Sequence, residues 1–326
     1  MKKFLFSASA AITFALSGAS HAGLALNATG IADNFILTTF ATGASSGYPL
    51  LDVAALPDGS VVASAYQSGQ LRKYNDVDGQ AVNSPISSVT VAGNGHVLGI
   101  TSAGGNAYVA IRDSSVNAAG YYKVANDLSL TAISLAHVPS YGLWGNQVSG
   151  HLLASTNDGI YDINPLTGLA TYINSVGSPD GLSVSPDGNT VYVESNGNRI
   201  YGFAIATGSQ VFDSGFLSGG PDGTGVIGGG AFAGFIVVNN NNGTLGLIDP
   251  TNPGAGETII ASGGERGDLT GLDANNGSLF VSDLTNMYRL SIVGGSFATI
   301  DVPEPASLAL LGGALAGLGL LRRRRR

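Results

Sequence analysis

Carboxylates stand at comparable points along this chain. Asp52, Asp180, Asp222 and Asp268 lie at the start of short apolar or glycine-rich segments, and His96 stands at the same point before Leu98-Gly99-Ile100. Glu194 and Asp283 follow apolar runs instead, Val191-Tyr192-Val193 and Leu279-Phe280-Val281. A fold that gathered these positions would offer hard oxygens from several segments, a donor set suited to Ca²⁺, which takes six to eight of them. Trp144, close to Tyr141, would offer a face on which a sugar ring stacks. The competing reading is local, because Asp and Asn favour loops where they hydrogen-bond backbone amides two residues on, and Trp144 could equally pack between structural units.

Other chemistries find less support. The chain has no cysteine, which removes thiol nucleophiles and thiolate metal sites. No serine stands on a Gly-x-Ser-x-Gly strand-to-helix elbow, and no helical pattern follows Gly228-Gly229-Gly230 to make a phosphate cradle. No carboxylate can be assigned beside His96 to make it a general base, so the sequence names no catalytic residue. Arg266-Gly267-Asp268 spells an adhesion tripeptide, a match short enough to be common by chance.

The elements that would position these residues repeat. Each unit has a short apolar strand, a turn, a second apolar strand, a polar loop and a third strand. The clearest copy runs Leu182-Ser183-Val184, Pro186-Asp187-Gly188, Val191-Tyr192-Val193, then Ile200-Tyr201-Gly202-Phe203 and a Thr207-Gly208 turn. Taking Val61, Tyr108, Leu152, Val191, Ile236 and Leu279 as markers of the second strand, the spacings are 47, 44, 39, 45 and 43. Such a period, with about four strands per unit, predicts an all-β six-bladed β-propeller over residues 34–295. A two-sheet β-sandwich is the main rival. Pro-Asp-Gly and Asn-Gly turns tolerate the positive φ of tight hairpins. The last unit lacks a strong outer strand, so Phe35 to Ala41 is expected to supply it and close the ring.

Ser185-Pro186-Asp187-Gly188-Asn189-Thr190-Val191-Tyr192-Val193 is the stretch in which the repeat most closely resembles NHL, YVTN and streptogramin-lyase-type propellers, a resemblance spanning Asn34 to about Val293. It implies ligand binding at one mouth of a central channel, where Asp52, His96, Trp144, Asp180, Glu194, Asp222, Asp268 and Asp283 are the candidate residues. Gluconolactonase-like propellers imply a metal held there by a Glu/Asn/Asn/Asp set, though the leading glutamate has no clear counterpart. No cofactor is expected, with Ca²⁺ as the ion the mouth would suit.

Both ends carry addresses. Lys2 and Lys3, an apolar stretch from Phe4 to Leu16 and Ser20-His21-Ala22 form a secretory signal peptide over residues 1–22, followed by a linker over 23–33. After a second linker at 296–302 come Pro303-Glu304-Pro305, an apolar helix over 307–321 and five arginines, Arg322 to Arg326. The prolines hold the tripeptide extended and helix-free. Leu308, Leu311, Leu315, Leu318 and Leu321 would form the membrane anchor, with Arg322 and Arg323 kept cytoplasmic. Fifteen residues of helix cover roughly 22 Å of a ~30 Å hydrocarbon core, a shortfall that local thinning absorbs.

This tail closely resembles the PEP-CTERM sorting signal of Gram-negative bacteria. The resemblance implies transient inner-membrane anchoring, processing by exosortase, and a place at the cell surface or in the extracellular matrix of an exopolysaccharide producer. Without signal peptide and tail, the chain keeps seven basic and 21 acidic residues, a net charge of −14. Such a body repels phosphate backbones, which argues against nucleic acid as a partner, and suits cations or neutral glycans. The expected function is therefore an exported propeller that binds exopolysaccharide, another glycan or a surface protein. The alternative is a secreted lactonase- or lyase-type enzyme with a metal at the channel mouth.

Overall fold

The computed structural model describes residues 23–43, 48–112, 115–176, 179–195 and 197–299. The expected signal peptide, Pro303-Glu304-Pro305 and the anchor residues Leu308 to Arg323 lie outside the described residues. Within those residues no helix is long and apolar enough to cross a membrane.

Six sheets, antiparallel except where Gln80–Ala81 pairs in parallel with Phe35–Thr42, form the expected propeller. Their innermost strands are Asp52–Ala55, Val97–Ala103, Pro139–Gly145, Leu182–Val184, Pro221–Val226 and Gly267–Asp273. Each contacts the next, and the sixth returns to the first, so the ring closes. The hairpins form where local chemistry favours them. In blade four Gly188 adopts φ +75°, the Ser185 hydroxyl donates to Asp187 at 2.5 Å, and the amide of Asn189 donates to the same carboxylate oxygen at 3.1 Å. These bonds hold the turn between Leu182–Val184 and Thr190–Ser195.

Closure runs through the N-terminal segment. Phe35–Thr42 pairs antiparallel with Met287–Ile292, Leu37 opposite Leu290, and so becomes the fourth strand of blade six. This pairing satisfies backbone groups that an open ring would leave as a free edge. The stretch read as a linker also carries structure: Ala25–Leu26 adds a fifth strand to blade five, and Asn27 caps the one-turn helix Ala28–Ala32 by accepting the Gly30 amide at 2.9 Å. A polar latch reinforces the seam. Buried Arg289 bonds Asp76 at 2.5 Å, Asp78 at 2.8 Å and Asp273 at 2.5 Å, with Phe40 and Phe280 against its guanidinium. It joins the third strand of blade six to a loop of blade one.

Neighbouring blades approach most closely through glycine. A β-carbon on Gly99 would lie 2.6 Å from the Tyr141 carbonyl oxygen of the next blade. Gly142, Gly181, Gly223 and Gly271 stand in the same relation to Asp180, Asp222, Asp268 and Val53, more tightly still. The repeated glycine thus lets the backbone of one innermost strand approach that of the next at five of the six seams.

At the opposite end, Ser296 bridges Gly229, and the Phe297 amide donates to the Gly277 carbonyl at 2.7 Å. Phe297 and Thr299 share the lower opening with Trp144, Val148 and Pro186. The last described residues therefore cross the lower face of the ring.

Candidate functional site

Antiparallel pairing puts the start of each innermost strand beside the end of its second strand. Leu182 lies opposite Val193, Pro221 opposite Asn240, and Gly267 opposite Asp283. The strand-opening carboxylates therefore sit at one end of the ring, and those of blades four, five and six meet there.

Their arrangement is a charged cluster around one guanidinium. Arg266, the residue before the innermost strand of blade six, donates from Nη2 to Asp222 Oδ2 at 2.7 Å. Its Nε bonds Asn241, and its guanidinium lies 5.7 Å from the ring centroid of Tyr48. Asp180 lies close enough to Asp222 to feel its charge, and Glu194 Oε2 accepts the Asp180 amide at 3.3 Å. Asp268 Oδ1 accepts the amide of Leu269 at 2.9 Å. Burial, followed by the charge of Asp222, pushes Asp180 up to about 7, and burial pushes Glu194 up to about 8. Asp268 is raised by burial and by the charges of Asp222 and Asp180. Carboxyls held protonated beside ionised ones mark an excess of buried negative charge.

A cavity of about 190 Å³ opens over this cluster, lined by Tyr48, Leu51, Tyr66, Tyr141, Asp180, Arg266 and Asp268. Tyr66 and Tyr141 are 6.4 Å apart between centroids and tilted by 44°, and Arg112 covers one face of Tyr141 at 4.7 Å. Tyr48 is only 8% exposed, and its buried hydroxyl has no hydrogen-bond partner. Its backbone is held at φ +54°, a conformation a bulky side chain rarely adopts, while its amide donates to Leu284. Strain of this kind persists where the surrounding structure enforces it. Burial and the nearby Asp268 carboxylate raise the Tyr48 phenol, so the hydroxyl stays protonated and able to donate.

The other candidates are placed elsewhere or are already committed. Both Asp52 oxygens are used, Oδ1 by its neighbour Val53 at 2.8 Å and Oδ2 by the Ile100 amide of the next blade at 3.0 Å. It ties blade one to blade two. Asp283 Oδ1 caps the turn to Thr285 and Asn286, leaving Oδ2 buried without a partner. His96 opens blade two with a buried, unpartnered Nδ1 and does not line the cavity. Trp144 corrects the sequence reading. It falls at the end of the strand that Pro139 opens, so it packs in the core and lines the lower opening, away from the mouth.

The donor set does not fit a Ca²⁺ ion. Among the described residues no three His, Asp or Glu side chains surround one point, and Arg266 already sits against Asp222. Asn239 spends its amide on the carbonyls of Asp268 and Ser282, and Asn240 donates to Glu257. Sequence reasoning missed Tyr48, Tyr66, Arg112 and Arg266. Arg266 carried a usable signal, since it adjoins the start of an innermost strand. Tyr48 carried none, since it precedes the first repeat.

Fold and mouth together define a six-bladed β-propeller with a charged, tyrosine-lined cavity at one end. The PEP-CTERM protein-sorting motif matches residues 301–326, so the chain ends in an exosortase address. A gluconolactonase from Xanthomonas campestris is similar in structure, with TM-score 0.58 and 15% identity over 83% of this chain and 95% of that one. A structural-genomics target provisionally classed as a gluconolactonase gives TM-score 0.61 and 13% identity over 84% and 99%. The streptogramin B lyase structure gives 0.49 at 15% identity over 79% and 98%. No curated protein matches the chain. At these identities the likeness is one of fold.

Proposed function

We propose that this chain is an exported propeller, delivered outside the cell through its exosortase address, that binds a glycan in the cavity at the channel mouth. One observation carries the reading: Tyr48, Tyr66 and Tyr141 share a cavity with Asp180, Asp268 and Arg266. Aromatic faces supply stacking area, and the polar groups around them supply directional hydrogen bonds to hydroxyls. The sorting motif, which implies export, supports a partner met outside the cell.

The test is affinity electrophoresis of the secreted protein through gels containing the host's own exopolysaccharide. Retardation that is lost in Tyr66→Ala/Tyr141→Ala supports the reading. Unretarded migration, with capture of a surface protein instead, would replace glycan by protein as the partner. Turnover of a simple lactone by the same preparation would replace binding by catalysis.

A further inference from the structure

The mouth gathers more acid groups than neutral sugars require. The Asp222–Arg266 pair cancels itself at 2.7 Å. What remains is Asp180, Glu194 and Asp268 against the single guanidinium of Arg112. Two of these carboxylates, Asp180 and Asp268, line the cavity itself. Asp268 commits one oxygen to Leu269. Tyr48, whose buried hydroxyl is unpartnered, also lines the cavity. The cavity thus presents carboxyl groups, whose ionised form a bound cation would favour, together with an unused hydroxyl and the tilted pair Tyr66 and Tyr141.

Two kinds of cation could answer that charge. A bare metal ion needs several oxygens around one point, and the described residues do not supply them. The acids instead border about 190 Å³ of space, which calls for a positive group carried on a larger frame. Ammonium fits on three counts. Its N–H groups donate to carboxylates with charge-assisted strength, its charge is attracted to aromatic faces, and a carbon ring attached to it fills the remaining space.

We propose that the cavity recognises a hexosamine whose amine is free, the ammonium between Asp180 and Asp268, a ring hydroxyl at Tyr48 Oη and the ring face toward Tyr66. The inference rests on the glycan reading above and narrows it to partly de-N-acetylated polysaccharide. N-acetylation would remove the charge and leave the carboxylates facing an amide. An all-hydroxyl sugar would leave them facing neutral donors.

Isothermal titration of the secreted protein with three β-1,4-linked tetramers distinguishes the cases: tetraglucosamine, its fully N-acetylated form and cellotetraose. The expected result at pH 7 and moderate salt is at least about tenfold tighter binding of tetraglucosamine. Asp180→Asn should abolish that preference, and Tyr66→Leu should weaken binding while keeping it. Asp180 is the less buried of the two cavity acids, and thermal melting checks that its variant is folded. Equal binding of all three tetramers would overturn the amine assignment while leaving the glycan reading intact. Binding of none of them would overturn it as well, and the host-polysaccharide experiment then decides the glycan reading separately. A preference that survives Asp180→Asn would overturn the placement of the amine.

Discussion

Gly223 and Asp268 touch across the seam between blades five and six, so closely that a β-carbon on the glycine would overlap the Asp268 carbonyl oxygen. Asp268 is one of the acids lining the mouth cavity. The same glycine that allows the blades to pack therefore allows the site to form. Gly223→Ala should destabilise the fold by about 1–3 kcal/mol, the usual cost of overpacking, and weaken ligand binding at temperatures where the fold persists. Gly254→Ala, where a β-carbon meets nothing within 4 Å, should be neutral. Urea denaturation of both variants checks the contrast, and equal stability would refute the packing argument.

Arg289 is the second seam element. Removing it leaves Asp273 fully buried and Asp76 without its cation. Arg289→Met should cost about 3–5 kcal/mol, as expected when one member of a buried ionic network is lost. Arg199 pairs with Asp213 at the surface, 38% and 35% exposed, and Arg199→Met should cost less than about 1 kcal/mol. Chemical denaturation midpoints measure both.

The raised mouth carboxyls set a pH dependence whose sign is fixed. Unfolded Glu194 titrates at its ordinary 4.5, and burial lifts it to about 8 in the folded protein. Between those values the folded state binds the extra proton, so this group's contribution to stability falls as pH rises through the window. Asp180, lifted from 3.8 to about 7, acts in the same direction. Glu194→Gln should therefore raise Tm at pH 8.5 while changing it little at pH 4. A variant that lowers Tm at pH 8.5 would contradict the assignment.

The sorting tail predicts a processed product. Protein recovered outside the native host should lack Leu308 to Arg326, and replacement of Pro303-Glu304-Pro305 by three alanines should trap it in the inner membrane. Mass spectrometry of the C-terminal peptide checks this, and intact tails on released protein would contradict it.

The lower-face anchorage adds an orientation. Phe297 is held against Gly277, and Pro303 follows six residues later, a reach of at most roughly 20 Å. In the trapped variant the lower face should point to the membrane and the mouth away from it. The chain has no cysteine, so Asn189→Cys on the lower turn and Gln67→Cys on the mouth side can each carry one fluorophore. Nitroxide lipids should quench the first more strongly, and equal quenching would refute the orientation.

Much of this protein is local and therefore legible along the chain. Strand alternation and a turn such as Ser185 to Asn189 depend on neighbours a few residues away, and the repeat interval reports the blade count. Phe35 to Ala41 could be assigned to the last blade because that blade lacked an outer strand. The tail motif is wholly local. The site is not. Asp180, Asp222, Arg266 and Tyr48 come from three blades and the segment before the first, and only the closed ring brings them together. Asp52 looked equivalent to Asp180 in sequence, yet Ile100 of the adjoining blade consumes its free oxygen. Trp144 shares a strand with mouth residues and reaches the other end of the channel, because a strand of that length spans the ring. Position within a repeat follows from local hydrogen bonding. Which polar atoms remain unspent at the mouth is decided by contacts between blades, and those exist only in the tertiary structure.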